Sequence, residues 1–165
     1  MNLATTRKGT TGEAIARDYF IEQGYQPYAP DFEGSHPVDF LIRNPIKRTF
    51  TAVEVKTYAR RYVAPQNGLH RNDLESYQAF ESKEGIKVYL IFVDPFEGAM
   101  YGAFLTDLRE PDATTKGRVY FNLERFRLLK RLTAKEQRAL PPSPVKSKYK
   151  RVVPFFKQVE LTTGK

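Results

Sequence analysis

The sequence predicts a mixed α/β fold, in which helices pack against a sheet. An amphipathic segment near the N-terminus is followed by two short segments rich in Val, Thr and aromatic residues. A second helix-like segment then precedes Val88–Val93, a nearly continuous apolar run. Such a run is typical of a central strand buried on both faces. Helices and strands therefore alternate along the chain, as in a sheet covered by helices.

The first helix is expected from about residue 10 to residue 23, because apolar residues recur at helical spacing and Gly24 suits its C-terminus. Glu13 would then lie in the first turn, where the helix dipole favours a carboxylate. A short extended piece at residues 25–28 and a loop at residues 29–37 follow.

Two strands are predicted next, at residues 38–43 and 50–58. Their connection is short, so they should form an antiparallel hairpin. If Arg43 lies opposite Phe50, the turn length puts Asp39 opposite Glu54. A slip of two residues would put Asp39 near Lys56 instead.

The second half of the chain is less regular. Residues 59–70 are expected to form a basic loop, and residues 72–84 a helix with a capping box made by Asn72 and Glu75. The elements expected after it are strands at 88–93 and 100–105, a charged linker at 109–117, an edge strand at Tyr120–Phe121, a helix at 122–131 and a short helix opened by the capping box Thr133-x-x-Glu136. We expect one domain over residues 1–140, including this helical addition, and a basic, Pro-rich tail over residues 141–165 that can act as an arm.

Composition limits the chemistry. The 165 residues include no Cys and two His, which excludes disulfides, thiolate catalysis, zinc sites with Cys ligands and a site of three His. A metal here is expected to be a hard cation held by carboxylates. The net charge is +8, and the tail contributes +5 of it. Nucleic acid or another anionic surface is the partner that this excess favours, although it can also serve solubility alone.

The sequence gives no sign of a membrane protein. No apolar run approaches the roughly 18 residues of a membrane helix, and the first residues lack the apolar core of a signal peptide. We expect a cytoplasmic protein that works with nucleic acid.

A carboxylate cluster is the most informative feature. Glu54 and Lys56 are two apart on a strand and share a face, and the predicted hairpin adds Asp39 beside them. Asp39 and Glu54 can ligate Mg²⁺, with the backbone carbonyl of Val55 as a third ligand. Lys56 can orient a water, help it to lose a proton, or stabilise charge on a phosphate. This chemistry hydrolyses a phosphodiester without a covalent intermediate. The alternative is an exposed, salt-bridged face of a strand.

Several basic residues are candidates for contacting DNA. Arg7 and Lys8 precede the first predicted helix, where they can clamp a phosphate. Arg60, Arg61 and Arg71 flank the loop after the Glu-x-Lys strand, which would overhang a bound backbone. Ordinary surface charge is the alternative for each of them.

Residues 7–13 (RKGTTGE), 37–39 (PVD) and 53–57 (VEVKT) resemble, in this order, the motifs of the PD-(D/E)xK nuclease superfamily. Within it, residues 7–108 look most like the Holliday junction resolvase branch. The resemblance implies a restriction-endonuclease-like mixed central sheet flanked by helices. It also implies that Asp39 and Glu54 ligate Mg²⁺ or Mn²⁺, that Lys56 is catalytic, that Glu13 belongs to the same metal cluster, and that Ser35 lies near the scissile phosphate.

The sequence departs from the pattern in two places, and the second bears on the substrate. Val38 stands where many members have the Pro that names the motif, with Pro37 one place earlier. The residues after Leu108 are less easily matched to a small resolvase, and such additions often serve sequence-specific binding. The prediction is a Mg²⁺-dependent endonuclease that acts on branched DNA. A site-specific duplex endonuclease of restriction or homing type and a DNA-binding module without activity stay open.

Assembly follows from the substrate. Cutting both strands of a symmetric junction requires two active sites related by a two-fold axis. We therefore expect a homodimer or a dimer of dimers, in which Phe126–Leu132 and Val152–Phe156 supply apolar contacts between subunits.

Overall fold

The computed structural model describes residues 3–29, 37–142 and 147–163, and side chains for residues 9–29, 37–142 and 148–159. The helices are α1 (Leu3–Glu22), α2 (Arg71–Glu84), α3 (Ala134–Ala139) and α4 (Phe155–Thr163). The strands are β1 (Gln26–Tyr28), β2 (Phe40–Arg43), β3 (Phe50–Lys56), β4 (Gln66–His70), β5 (Val88–Asp94), β6 (Ala99–Phe104), β7 (Ala113–Thr115), β8 (Arg118–Asn122) and β9 (Arg127–Arg131). The predicted mixed α/β fold is confirmed.

The central sheet has six strands in the order β1-β2-β3-β5-β6-β9. Its two central strands, β3 and β5, are parallel, and every other neighbouring pair is antiparallel. The carboxyl ends of β3 and β5 therefore meet at one edge, where ligands commonly bind in open α/β sheets.

Apolar layers cover both faces of this sheet. On one face α1 packs Ile15, Ala16 and Phe20 against β2, β3 and β5. On the other face α2, the β4-β8-β7 sheet and α4 pack against β3, β5 and β6. Strand β5 is buried on both sides, as its continuous apolar run predicts.

Two helix starts differ from prediction. Helix α1 begins at Leu3, so Glu13 lies in its middle rather than in its first turn. Helix α2 begins at Arg71, with His70 in extended conformation as the N-cap and no side-chain cap, so the predicted Asn72 capping box is wrong. The capping box of Thr133 at the start of α3 is confirmed, with both of its hydrogen bonds.

A second, three-stranded antiparallel sheet has the order β4-β8-β7. Strand β4 lies in the segment predicted as a basic loop, and β7 in the predicted linker. Tyr120 and Phe121 belong to β8, the middle strand, and not to an edge. This sheet forms because Val119 and Phe121 bury one face of it against the core.

The helix predicted at residues 122–131 is wrong. A short 3-10 turn at Leu123–Arg125 leads into β9, which pairs with β6 at the edge of the central sheet. Leu128 packs against one apolar layer and Leu129 against the other. Adjacent leucines thus alternate between the two faces of a strand.

The C-terminal segment packs on its own chain. Phe156 of α4 is buried, with its ring centroid 5.0 Å from that of Tyr101. Glu97 accepts hydrogen bonds from the backbone N–H groups of Phe155 and Phe156 at 2.9 and 3.2 Å. None of the helices within the described residues combines the length and hydrophobicity of a membrane span.

Candidate active site

The β2–β3 hairpin has the predicted register, with Arg43 opposite Phe50. The same register continues beyond the last strand pair, because the N–H of Asp39 donates to the carbonyl of Val53 at 3.0 Å. Asp39 therefore lies beside Glu54 on the face of the sheet that α2 covers. Its carboxylate oxygen Oδ2 accepts a hydrogen bond from the N–H of Val55 at 2.7 Å.

Glu54 and Lys56 form an ion pair on that face. Nζ of Lys56 lies 2.8 Å from Oε1 of Glu54, and the Glu54 side chain is only 9% exposed. The hydroxyl of Tyr77, on α2, donates to the same oxygen at 2.7 Å. The pair is thus held between strand and helix, and the alternative of an exposed salt-bridged face does not describe it.

Lys56 has a second acidic neighbour. Oδ2 of Asp73, in the first turn of α2, lies 3.5 Å from Nζ of Lys56. The Lys56 ammonium also lies 5.6 Å from the ring centroid of Tyr77, within range of a cation–π contact. Lys56 therefore sits among two carboxylates and a phenol while its side chain remains 21% exposed to solvent.

Sequence reasoning missed Tyr77 and Asp73. Tyr77 lies on the face of α2 that packs against the sheet, and a buried phenol needs a hydrogen-bond partner. Because α2 follows β3 in the chain and covers its face, that requirement pointed to Glu54. Gln78, which has the next position on α2, is exposed and does not reach the site.

The electrostatics of the site follow from burial and crowding of like charge. Burial, followed by the negative charge of Asp39, raises the pKa of Glu54 to about 7, although Lys56 and Tyr77 oppose the shift. Burial alone would lower the pKa of Lys56, but the adjacent Glu54 carboxylate outweighs it and raises that pKa. Lys56 is therefore a cation at neutral pH, whereas the pKa of Glu54 lies near neutral pH.

The carbonyl of Val55 faces the same edge as Asp39. The N–H and C=O of one strand residue point to the same side, and the N–H of Val55 is bonded to Asp39. Strand pairing between β2 and β3 ends at Phe40 and Val53. The carbonyl oxygen of Val55 therefore points toward the Asp39 carboxylate.

Glu13 does not join this group. Its helix packs on the opposite face of the sheet, and Glu13 extends back along α1, so that its Oε1 lies 3.7 Å from where a Cβ at Gly9 would be. Among the described residues, no three acidic or His side chains are grouped closely enough to hold a metal ion. Only the family resemblance supports a role for Glu13 in the metal cluster.

The predicted DNA-contacting residues differ in placement. Arg60 is buried: its guanidinium lies 2.5 Å from Oε1 of Glu97 and donates to the carbonyls of Arg61 and Ala64. It shapes the loop after β3 and cannot reach DNA, so this part of the prediction is corrected. Arg61 is half-buried and Arg71 is exposed.

The side chains of the remaining predicted contacts are not among those that the structure describes. Arg7 and Lys8 belong to α1, but only their backbone is described. Ser35 lies outside the described residues.

The chain matches no known family model and no curated protein sequence. Among solved structures it is similar to Hjc of Archaeoglobus fulgidus, a Holliday junction resolvase from an archaeal hyperthermophile. The two are 18% identical, and their superposition has a TM-score of 0.52 and covers 71% of this chain and 90% of the other. This chain therefore has the fold of that resolvase: a mixed central sheet flanked by helices.

Proposed function

We propose that this protein is a metal-dependent endonuclease that hydrolyses DNA phosphodiester bonds, with a preference for branched DNA. The observation that carries the proposal is the Glu54–Lys56 pair beside Asp39, at the carboxyl end of β3. The shared fold with a protein described as a Holliday junction resolvase supports the choice of branched DNA.

The donor set fits Mg²⁺ or Mn²⁺. Asp39 and Glu54 bring two carboxylates so close that the charge of one raises the pKa of the other, which is the condition that a divalent cation relieves. These two side chains and the carbonyl of Val55 would hold the ion. When bound, it would supply positive charge that lowers the pKa of a water and polarises the phosphate.

Lys56 acts as a cation in this proposal. Because the Glu54 carboxylate raises its pKa, Lys56 stays protonated at neutral pH and is a poor general base. It donates to the attacking water or to the phosphate oxygen on which charge develops. Glu54 keeps the ammonium in place, and Tyr77 keeps Glu54 in place.

Two other substrates or activities remain as alternatives. A site-specific duplex endonuclease would use the β4-β8-β7 sheet and the C-terminal elements for sequence reading. A DNA-binding module without activity would keep only the fold. The chemistry requires two acids and a lysine, and Asp39, Glu54 and Lys56 supply them, which argues against this alternative.

Assembly as a homodimer or a dimer of dimers is also proposed, because two strands require two active sites. The apolar segments expected to join subunits do not support it: Phe126, Leu132 and Phe156 are buried in their own chain. Sedimentation at micromolar concentration, with and without a junction, tests this part. A DNA substrate would require an intracellular location, and a cytoplasmic one is proposed on this ground.

The deciding experiment incubates the protein with Mg²⁺ and either a four-way junction or a linear duplex of the same sequences. We expect junction cleavage that Glu54→Ala and Lys56→Ala abolish and that excess chelator prevents. Ca²⁺, which is larger and activates water poorly, should support binding with little cleavage. Glu84→Ala and Lys83→Ala are matched controls, since these residues form an exposed ion pair on α2 at 3.5 Å.

The outcomes separate the alternatives. Cleavage of duplex alone, at one sequence, favours the site-specific enzyme. DNA binding without cleavage under any divalent ion favours the binding module. Folded Glu54→Ala protein with undiminished turnover contradicts the assigned site.

A further inference from the structure

The turn between β7 and β8 lies at the start of α2, next to the candidate active site. The N–H of Arg71 donates to the carbonyl of Gly117 at 2.9 Å. Two residues further along α2, Asp73 lies 3.5 Å from Nζ of Lys56. A hairpin from the C-terminal part of the chain thus borders Lys56.

Arg118, the first residue of β8, lies at this border. Its guanidinium lies 5.5 Å from the ring centroid of Tyr58 and 3.3 Å from Nε2 of His70. Burial raises the pKa of Tyr58; Arg118 opposes this shift, and the charges of Asp73 and Glu54 add to it. Arg118, Asp73 and Glu54 therefore all act electrostatically on one phenol, which lies two residues after Lys56 in the chain.

Arg61 lies on the same face of the small sheet. Its guanidinium lies 4.4 Å from the ring centroid of Tyr120 and donates to Oε1 of Gln66 at 3.0 Å. Tyr120 and Arg118 are two apart on β8 and therefore share a face. Stacking on a Tyr ring orients each of the two guanidinium groups, which limits the side-chain entropy lost on binding an anion.

Lys116 occupies the tip of the turn in a left-handed backbone conformation, with φ of 49°. That conformation costs about 1 kcal/mol for a side chain other than Gly, Asn or Asp. The Lys116 side chain is exposed, and no ion pair within the described part of the chain includes it. Lys116 and Gly117 both have positive φ, as a two-residue hairpin turn requires, and this turn presents the Lys116 ammonium at its tip.

We propose that Lys116 and Arg118 of the β7–β8 hairpin, with Arg61, form a phosphate-binding wall that holds a DNA backbone against the Glu54–Lys56 site. The proposal rests on the function proposed above. The partner is the phosphodiester backbone rather than the base edges, because Arg118 lies 5.5 Å from the ring centroid of Tyr58, two residues after Lys56, where the scissile strand must pass. Lys116 adjoins Arg118 through the β7–β8 turn, and Arg61 adjoins it through the Tyr120 ring. Contacts of this kind position the nucleic acid and carry no sequence information.

A salt titration of binding tests the wall without depending on cleavage. Binding of a fluorescein-labelled four-way junction is followed by anisotropy in EDTA over a range of salt concentrations. The variants are Lys116→Asn, which tolerates the left-handed backbone, Arg118→Gln, and the double variant. The matched control is Arg48→Asn, because Arg48 is also an exposed cation in a left-handed turn, with φ of 55°, but stands at the opposite end of β3.

Each phosphate contact that is lost should reduce the slope of log K against log salt by about 0.9. The double variant should bind about tenfold more weakly at low salt and show a slope lower by about 2. Arg48→Asn should change neither. Arg118→Lys keeps the charge but loses the planar stacking, and it should recover part of the affinity.

The outcomes are distinguishable from those of the cleavage experiment. An unchanged slope in Lys116→Asn and the double variant, or an equal effect of Arg48→Asn, overturns the wall even if the protein cleaves DNA. A reduced slope in a protein that never cleaves supports the wall and contradicts the nuclease. If Arg118→Gln does not fold, as judged by circular dichroism, Lys116→Asn at the exposed tip decides the question alone.

Discussion

The hydroxyl of Tyr77 on α2 donates to Oε1 of Glu54 on β3 at 2.7 Å, and Nζ of Lys56 lies 2.8 Å from the same oxygen. One carboxylate oxygen thus connects the helix to the strand that carries the candidate catalytic pair. The orientation of Glu54 depends on a residue that takes no direct part in the proposed chemistry. Tyr77 is therefore a positioning residue, and removal of its hydroxyl should change the orientation and the pKa of Glu54.

Tyr77→Phe should reduce cleavage and lower the free energy of unfolding by about 1–2 kcal/mol, because a hydrogen bond to a buried carboxylate is lost. Since that bond favours the charged form, the pKa of Glu54 should rise, and the pH profile of cleavage should move to higher pH. Tyr28→Phe, at an exposed site on β1, is the control. An unchanged pH profile in Tyr77→Phe would contradict the positioning role.

The titration of Glu54 predicts a pH dependence of stability. Its pKa is about 7 in the folded protein against an ordinary value of 4.5, so the folded state binds more protons between these values. The free energy of unfolding should therefore fall as pH rises from about 4.5 to 7. Relative to Glu54→Gln, the wild type should lose up to about 3 kcal/mol over this window. Urea unfolding of the wild type and of Glu54→Gln in chelator, at several pH values, measures the difference between their free energies of unfolding. A difference that does not change with pH would contradict the raised pKa of Glu54.

The sequence predicts the hairpin of β2 and β3 well, because its register depends on a short turn and on local alternation of apolar residues. Val53 and Val55 turn to the α1 side, and Glu54 and Lys56 turn to the other. The central strand β5 follows equally directly from its apolar run. The elements that carry the candidate site are therefore those whose pattern is local.

The elements that escaped prediction form through contacts distant in sequence. Strand β4 has a Gly at its centre and pairs with β8 about 50 residues later; a side chain at Gly68 would overlap the carbonyl of Val119. The apolar residues of segment 122–131 are spaced as in a helix, but β9 forms there because it pairs with the open edge of β6. Tertiary pairing outweighs local propensity in both. Tyr77 was missed for a related reason: its partner lies on another element.

Gly12 determines how closely α1 approaches the end of β3. A Cβ at this position would overlap Oγ1 of Thr57 and lie 3.0 Å from its Cβ, and Thr57 directly follows Lys56. Gly12→Ala should therefore destabilise the fold and reduce cleavage, although Ala favours helices. Gly9→Ala is the control: its nearest neighbour would be Oε1 of Glu13, 3.7 Å away, so it should stabilise by about 0.5–1 kcal/mol. Thermal unfolding of the two variants tests this prediction. A change in melting temperature of the same sign in both variants would contradict the close approach of α1 to Thr57.

Glu97 fixes α4 to the loop that follows β3. Its buried carboxylate pairs with Arg60 and accepts the N–H groups of Phe155 and Phe156. Glu97→Ala should lower the free energy of unfolding by about 3–5 kcal/mol, because it leaves a buried guanidinium unpaired, and should expose residues 148–157 to trypsin. Glu84→Ala, which breaks the exposed pair with Lys83, should change stability by less than about 1 kcal/mol. Phe156→Ala removes a buried apolar anchor of α4, so it should also increase cleavage by trypsin, with a loss of about 3–5 kcal/mol. Protection from trypsin retained in both variants would show that α4 is held by contacts other than these two.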